Sequence, residues 1–283
     1  MDPSNNRSIK PPVSSDIKKI DGSFTKRNFW IIIAAVAVVL IGSGVWFIFN
    51  KIKALTHSRY QNITFSDTGK NTILYEKDGV FMQAYNADVK VIKLNIQAGA
   101  TSYKIDDTTS QLFIADTRAF QNRFQFESHE EGTAFLIDLT SKSGKQTKIT
   151  NGDPDSVKIK LNRNPEWEID LDASASTIDF DLSKFKLRSI KIKGGAGDYK
   201  LKLGQALSLT NVVFDTGVAD ITIEIPKNAA CRIETKSQFS STTFDGFNKK
   251  GNGGYETSEY PSAKNKILIK FNGDISDYKV SKY

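Results

Sequence analysis

The sequence predicts an all-β fold: a stacked, solenoid-like external domain behind a single N-terminal transmembrane helix. Three observations carry that expectation. Residues Phe29 to Phe49 are 21 consecutive residues without a charge, FWIIIAAVAVVLIGSGVWFIF. From Ile63 onward, apolar and polar residues alternate in short runs between turn residues, the period of a half-buried strand. Between Ile169 and Asp245 those runs recur every 21 or 22 residues, as coils stacked on one another would.

The apolar run comes first in the chain. At about 1.5 Å per residue, a helix of this length spans the roughly 30 Å hydrocarbon core of a bilayer. A cleaved signal peptide would have a shorter apolar region followed by small residues. This run ends instead in Trp46, Phe47, Ile48 and Phe49, and it shows no polar face that would suit a core helix. Trp30 and Trp46 sit near its ends, where amphipathic rings favour the headgroup region. The tail 1–28 carries Arg7, Lys10, Lys18, Lys19, Lys26 and Arg27 against Asp2, Asp16 and Asp21, and residues 50–64 carry Lys51, Lys53 and Arg59. The positive-inside rule then puts the N-terminus in the cytoplasm and the large C-terminal domain outside it. With Pro3, Pro11 and Pro12 and little that is apolar, the tail reads as disordered. The expected organisation is a tail over 1–28, the membrane helix 29–49, a linker 50–64, a first β region 65–153 and a repeat-containing β region 154–283. The turn Asn151-Gly-Asp-Pro154 marks the last boundary.

Composition excludes several classes. Taking the tail's six basic and three acidic residues from totals of 39 and 32 leaves 33 and 29, a mild excess that gives no nucleic-acid footprint. Cys231 is the single cysteine, so no internal disulfide and no cysteine-rich metal site can form. Packing and strand pairing must hold the domain together.

The repeat is explicit in the residues. Ile169-Asp-Leu-Asp172, a small-residue bend Ala173–Thr177 and Ile178-Asp-Phe-Asp181 form one copy. Ile190-Lys-Ile-Lys193, Gly194–Asp198 and Tyr199-Lys-Leu-Lys202 form the next. Val212-Val-Phe-Asp215, Thr216–Asp220 and Ile221-Thr-Ile-Glu224 follow, with a fainter copy at Ile233–Lys236 and Thr242–Asp245. Parallel stacking would set Asp170 on Lys191, Asp172 on Lys193, Asp179 on Lys200 and Asp181 on Lys202, with Asp215 and then Lys236 continuing the Lys193 column. The inward columns would be Ile169/Ile190/Val212, Leu171/Ile192/Phe214, Ile178/Tyr199/Ile221 and Phe180/Leu201/Ile223. A slip of one residue would turn the charges inward, so the pattern fixes the register. In the first half, Ile96–Ile105 matches Ile192–Leu201 in Gly, Ala, Tyr, Lys and the apolar ends.

A membrane segment followed by IKLNIQAGATSYKI, LFIADTRAF and WEIDLDASASTIDFDLSKFKLRSIKIKGGAGDYKLKLG resembles the LiaF-type toast-rack domain of bacterial envelope proteins, with an adhesin-like β-solenoid (β-helix) end. The resemblance runs from about Ile92 to Pro226. It implies a place in the bacterial plasma membrane and, for some members, regulation of cell-envelope stress signalling. Those members carry several membrane helices, and this chain has one apolar run. The family brings no catalytic residues to carry over.

The residues themselves offer little chemistry. His57 and His129 are the only histidines, and neither belongs to a metal or triad pattern. Cys231 lies in an apolar strand, as a small buried side chain would. Gly194–Gly197 is followed by no helix, so it is no phosphate loop. Asp170, Asp172, Asp179 and Asp181 are the one set that could bind calcium or serve as paired acids on a glycan, but each has an expected lysine one coil away. The expectation is a non-enzymatic envelope protein with no metal, no cofactor and no small-molecule substrate. Its partners would be the bilayer, through Phe29–Phe49, and another envelope or membrane protein; no nucleic acid is expected. The alternatives are an adhesive or glycan-binding module and a glycan-active β-helix enzyme using the four aspartates.

Overall fold

Period-2 alternation becomes strand wherever alternate side chains can share a buried face. In the computed structural model this happens along almost every segment among residues 63–67, 72–76, 79–118, 123–142, 156–237, 239–251 and 253–283, which are the residues described. Among them no helix is long and apolar enough to cross a membrane. The tail, the Phe29–Phe49 run, His57 and the Asn151–Pro154 turn lie outside the described residues.

The first strands are β1 (Ile63–Asp67), β2 (Thr72–Glu76), β3 (Val80–Gln83), β4 (Val91–Ala98), β5 (Ser102–Thr108), β6 (Phe113–Asp116), β7 (Phe124–Glu131), β8 (Ala134–Ser141) and β9 (Ser156–Leu161). Three long strands follow: β10 (Glu166–Leu182), β11 (Lys186–Leu203) and β12 (Leu209–Ile225). The chain closes with β13 (Cys231–Lys236), β14 (Ser241–Phe244), β15 (Asn248–Lys249), β16 (Tyr255–Glu256) and β17 (Lys266–Lys282). The first strand begins at Ile63, just inside the expected linker.

The parallel stack is the centre of the fold. Its rungs run in space β8/β9, β4/β5, β10, β11, β12, β17, β13/β14. Each long strand bends at its small-residue segment into a first and a second arm. The arms face one another across the core: on β17, the rings of Phe271 in the first arm and Tyr278 in the second stack with centroids 4.2 Å apart. The four inward columns read from the sequence are all present. Ile169–Ile190–Val212 and Phe180–Leu201–Ile223 are in register, and these side chains are fully buried. Burying each such side chain is worth about 1.5–3 kcal/mol, so the columns dominate the stability. At one end Trp167 fills the core, and its indole N–H donates to the Asn162 carbonyl at 2.9 Å.

Chain order and spatial order part at both ends, and here the expectation from the repeat needs correcting. The fainter copy at Ile233–Lys236 does not stack on β12. The C-terminal β17 pairs with β12 along nearly its whole length and holds β13 and β14 one rung further out. Asp215 therefore meets Asn272, and Lys236 lies beyond it. The physical reason is length: β17 offers two full arms with Ile269, Phe271, Tyr278 and Val280 inward, whereas β13 and β14 are short. At the other end, β4 and β5 lie between β8/β9 and β10, so the Ile96–Ile105 copy of the bend sits directly beside β10, and one ladder runs through the boundary expected at 153/154.

Antiparallel strands shield the stack's ends from edge-to-edge pairing. β7 covers β8, β6 covers β9 and continues into β3, β2 and β1, and β16 covers β13. The last cap is pinned by ions: Glu256 takes Arg232 at 2.9 Å and Lys250 at 2.6 Å, and hydrogen bonds from these two cations hold its carboxyl below the usual range.

Candidate functional site

The four aspartates occupy the outward positions of β10, in the predicted register: Asp170 and Asp172 oppose Lys191 and Lys193, and Asp179 and Asp181 oppose Lys200 and Lys202. Asp170 and Asp172 are on the first arm, Asp179 and Asp181 on the second. Because the arms bury their inner faces against each other, the two pairs point to opposite outer faces and do not converge. Among the described residues, no group of three or more His, Cys, Asp or Glu is arranged to hold a metal ion. The expected charge ladder exists as register. Among the described residues none of the four carboxylates closes an ion pair within 4.0 Å, whereas Lys270 and Glu234, on the last two rungs at the C-terminal end of the stack, do so at 3.2 Å. Asp181 instead accepts the backbone N–H of Ser183 at 3.0 Å.

On the first arm's outer face, Asn95, Gln97, Asp170, Asp172, Lys191 and Lys193 line an open groove of ≈ 230 Å³. Asn95 donates to Asp138 on the neighbouring rung at 2.8 Å. The groove offers amides, carboxylates and ammonium groups, all able to hydrogen-bond a polar ligand.

The bend corner is the second candidate, and the sequence reading missed it. Its geometry follows from small residues. A Cβ on Gly194 would lie 2.2 Å from the Tyr199 hydroxyl oxygen, and one on Gly197 would lie 2.5 Å from the Ser176 carbonyl oxygen. The chain can therefore turn tightly over the tyrosine ring only because both side chains are missing. Midway round each bend one residue points out to solvent. These residues stack in register as Ala175, Ala196, Val218 and Ile275. Phe239 continues the file: Ser240 Oγ accepts the Ser276 N–H at 3.2 Å and Ser241 opposes Asp277, which brings Phe239 beside Ile275. Val218 and Ile275 are each 56 % exposed and Phe239 is 73 % exposed. Three of the five large exposed hydrophobic side chains among the described residues thus share one corner. Single exposed apolar residues need no explanation, but a contiguous file does.

A column of like charge flanks this file on the second-arm side. Asp198, Asp220 and Asp277 oppose one another on three adjacent rungs, all exposed. Among the described residues, none of the three carboxylates forms an ion pair or a side-chain hydrogen bond. Beneath the corner, the hydroxyls of Thr216 and Tyr278 are buried without a hydrogen-bond partner among the described residues, and Ser176 faces Tyr199.

A signal for the corner was available in the sequence. Gly273-Asp-Ile-Ser-Asp-Tyr-Lys279 repeats the Asp-Tyr-Lys of Asp198–Lys200, and aligning the bends sets Ile275 under Val218 and Ala196. His129 is exposed on β7, opposite Leu136, and the turn that follows is confined to Gly132 and Thr133, Gly132 having a φ of 61°. Cys231 is buried on β13, and burial pushes its thiol far up. Most aromatic side chains point inward, as the alternation required.

A solved protein structure shares this fold. A solved structure from Clostridium sporogenes, of a candidate cell adhesion protein, superimposes with a TM-score of 0.63 at 20 % identity, covering 72 % of this chain and 98 % of that one. At that identity the likeness shows the fold alone. No curated protein matches the sequence. A family model described as the N-terminal domain of toast_rack, DUF2154, matches residues 64–224, which include the first five rungs in space and three of the four long strands with their bends. This chain belongs to the toast-rack family.

Proposed function

We propose that the chain is a single-pass envelope protein whose β stack acts outside the cytoplasm, without catalysis, by binding another protein at its bend corner. In this reading it serves as a sensor, regulator or scaffold in the bacterial envelope. The observation that carries it is the exposed side chains of Val218 and Ile275 on adjacent rungs, with exposed Phe239 beside them in the segment leading into β14. A few apolar anchors on a fixed backbone supply most of the energy of a typical protein contact. The uncharged run Phe29–Phe49 and the basic excess of the tail support the anchor and its orientation.

A photo-crosslinking side chain placed at Phe239 in intact cells tests the reading. It should give a discrete protein adduct, and the same group at Gln125, on the capping strand β7, should not. Equal labelling at both positions, or none at Phe239, overturns it.

A second reading, adhesion through a glycan, is favoured by the groove at Asn95, Gln97, Asp170 and Asp172, whose amides and carboxylates suit sugar hydroxyls. The adhesion description of the C. sporogenes protein points the same way. In that case Asn95→Ala with Asp172→Ala would abolish binding to envelope glycans and leave the Phe239 adduct intact.

A further inference from the structure

We propose that the partner presents a basic amphipathic helix, laid along the stack axis with its apolar side on the Val218–Ile275–Phe239 file and its lysines or arginines over Asp198, Asp220 and Asp277. This rests on the protein-contact reading above and adds the chemistry of the partner. Two observations choose the occupant. The first is spacing. Adjacent rungs lie about 4.8 Å apart, so both the apolar file and the aspartate column repeat at about that interval along the axis. Helix side chains three and four residues apart are about 5–6 Å apart and stay in step over two rungs. A strand running the same way presents side chains on one face at about 6.6 Å or more and loses step.

The second is charge. The outward columns Asp172–Lys193–Asp215 and Asp181–Lys202–Glu224 alternate in sign. Asp198–Asp220–Asp277 does not alternate, and like charges directly opposite one another repel. Lys200 and Lys279 stand two residues further out on the same arms, and Lys193 lies on the other side of the bend. A cationic helix flank relieves the repulsion where these lysines do not reach. The same column argues against other occupants. Anionic lipid headgroups would be repelled. A second copy docked about a two-fold axis lying across the stack would set carboxylates against carboxylates. A divalent ion lacks an arranged ligand set among the described residues.

The test uses the full chain in zwitterionic nanodiscs and a labelled synthetic helix with leucine every third or fourth position and lysine along one flank, empty nanodiscs giving the background. Binding in the micromolar range is expected. Phe239→Ser with Ile275→Ser should weaken it at least tenfold. So should Asp198→Asn, Asp220→Asn and Asp277→Asn together, and this variant should also lose most of the salt dependence. All of these positions are exposed, and unchanged melting temperatures confirm that the variants fold. Equal binding by a helix with glutamate in place of lysine overturns the proposal. So does affinity unchanged in either variant, binding of anionic vesicles that depends on Phe239, or self-association lost in Ile275→Ser. A Phe239 adduct whose crosslinked segment is acidic overturns the basic helix and leaves the protein-contact reading standing. No adduct removes both.

Discussion

Tyr199 and Gly194 show how narrow the tolerances are at the bend. The tyrosine is fully buried, and its hydroxyl, tucked under the turn, lies 3.5 Å from the Ala196 carbonyl and interacts with the Ser176 hydroxyl. The pairing recurs on β17, where a Cβ on Gly273 would lie 2.5 Å from the Tyr278 hydroxyl oxygen. The rungs that carry Ile178 and Ile221 at this place have Ala173 and Thr216 in the bend instead. The β4/β5 rung has Tyr103 opposite Ile178 and Ala98 opposite Ala173, so the glycine limit belongs to the β11 and β17 bends rather than to every tyrosine rung. Gly194→Ala should therefore cost about 1–3 kcal/mol through overpacking, a fall of roughly 2–4 °C per kcal/mol in a domain of this size. Tyr199→Phe should cost less than about 1 kcal/mol, since the hydroxyl's bond to the Ala196 carbonyl is long and its other neighbour is the neutral Ser176 hydroxyl. Combined, the two changes should cost less than their sum, because removing the hydroxyl makes room for the methyl group. Thermal unfolding of the three variants decides it, and strict additivity would show that the tyrosine does not set the limit on the bend.

At the scale of the strand, register is what the outward charges were expected to report, and they report it correctly along β10, β11 and β12. Alternation was readable there because each strand is followed in the chain by the strand it stacks upon, so a constant step of 21 or 22 residues maps one rung onto the next. Lys193 lies between Asp172 and Asp215. Lys193→Glu puts three carboxylates in one column and should cost about 0.2–1 kcal/mol at low salt. Adding Asp172→Lys and Asp215→Lys restores alternation and should recover most of the loss. Because no ion pair within 4.0 Å forms at these positions, the effect should be long-range and fade as salt shortens the screening length to about 10 Å and below. A loss that persists in high salt would mean that packing, not charge, is being perturbed.

The whole molecule is where the sequence pattern stops being readable. A period along the chain reports stacking only while chain order equals spatial order. It does not at either end, because β4/β5 and β17 each insert beside strands distant in sequence. The candidate corner was hidden for the same reason: Val218 is the only large member of its file within the consecutive repeats, and Ile275 and Phe239 join it through β17. The order of the C-terminal rungs makes a prediction of its own. β17 is the sixth rung, and it alone joins β12 to the short strands β13 and β14. It contributes Ile267, Ile269, Phe271, Tyr278 and Val280 to the core, all essentially buried. At about 1.5–3 kcal/mol each, these five side chains rival the roughly 5–15 kcal/mol net stability of an ordinary domain. Deleting 266–283 should therefore unfold more than the missing strand. β13 and β14 lose their parallel partner, the β16 cap loses its support, and β12 becomes an exposed edge with Phe214 uncovered on one side. Hydrogen exchange on the full chain and the deletion variant should show protection lost throughout 209–260, while β10 keeps most of its protection through β4 and β11. If β12 and β13 stayed protected without β17, the two would have to pair directly, as the bare repeat suggests. The inserted strand would then be an addition to the ladder rather than the rung that closes it.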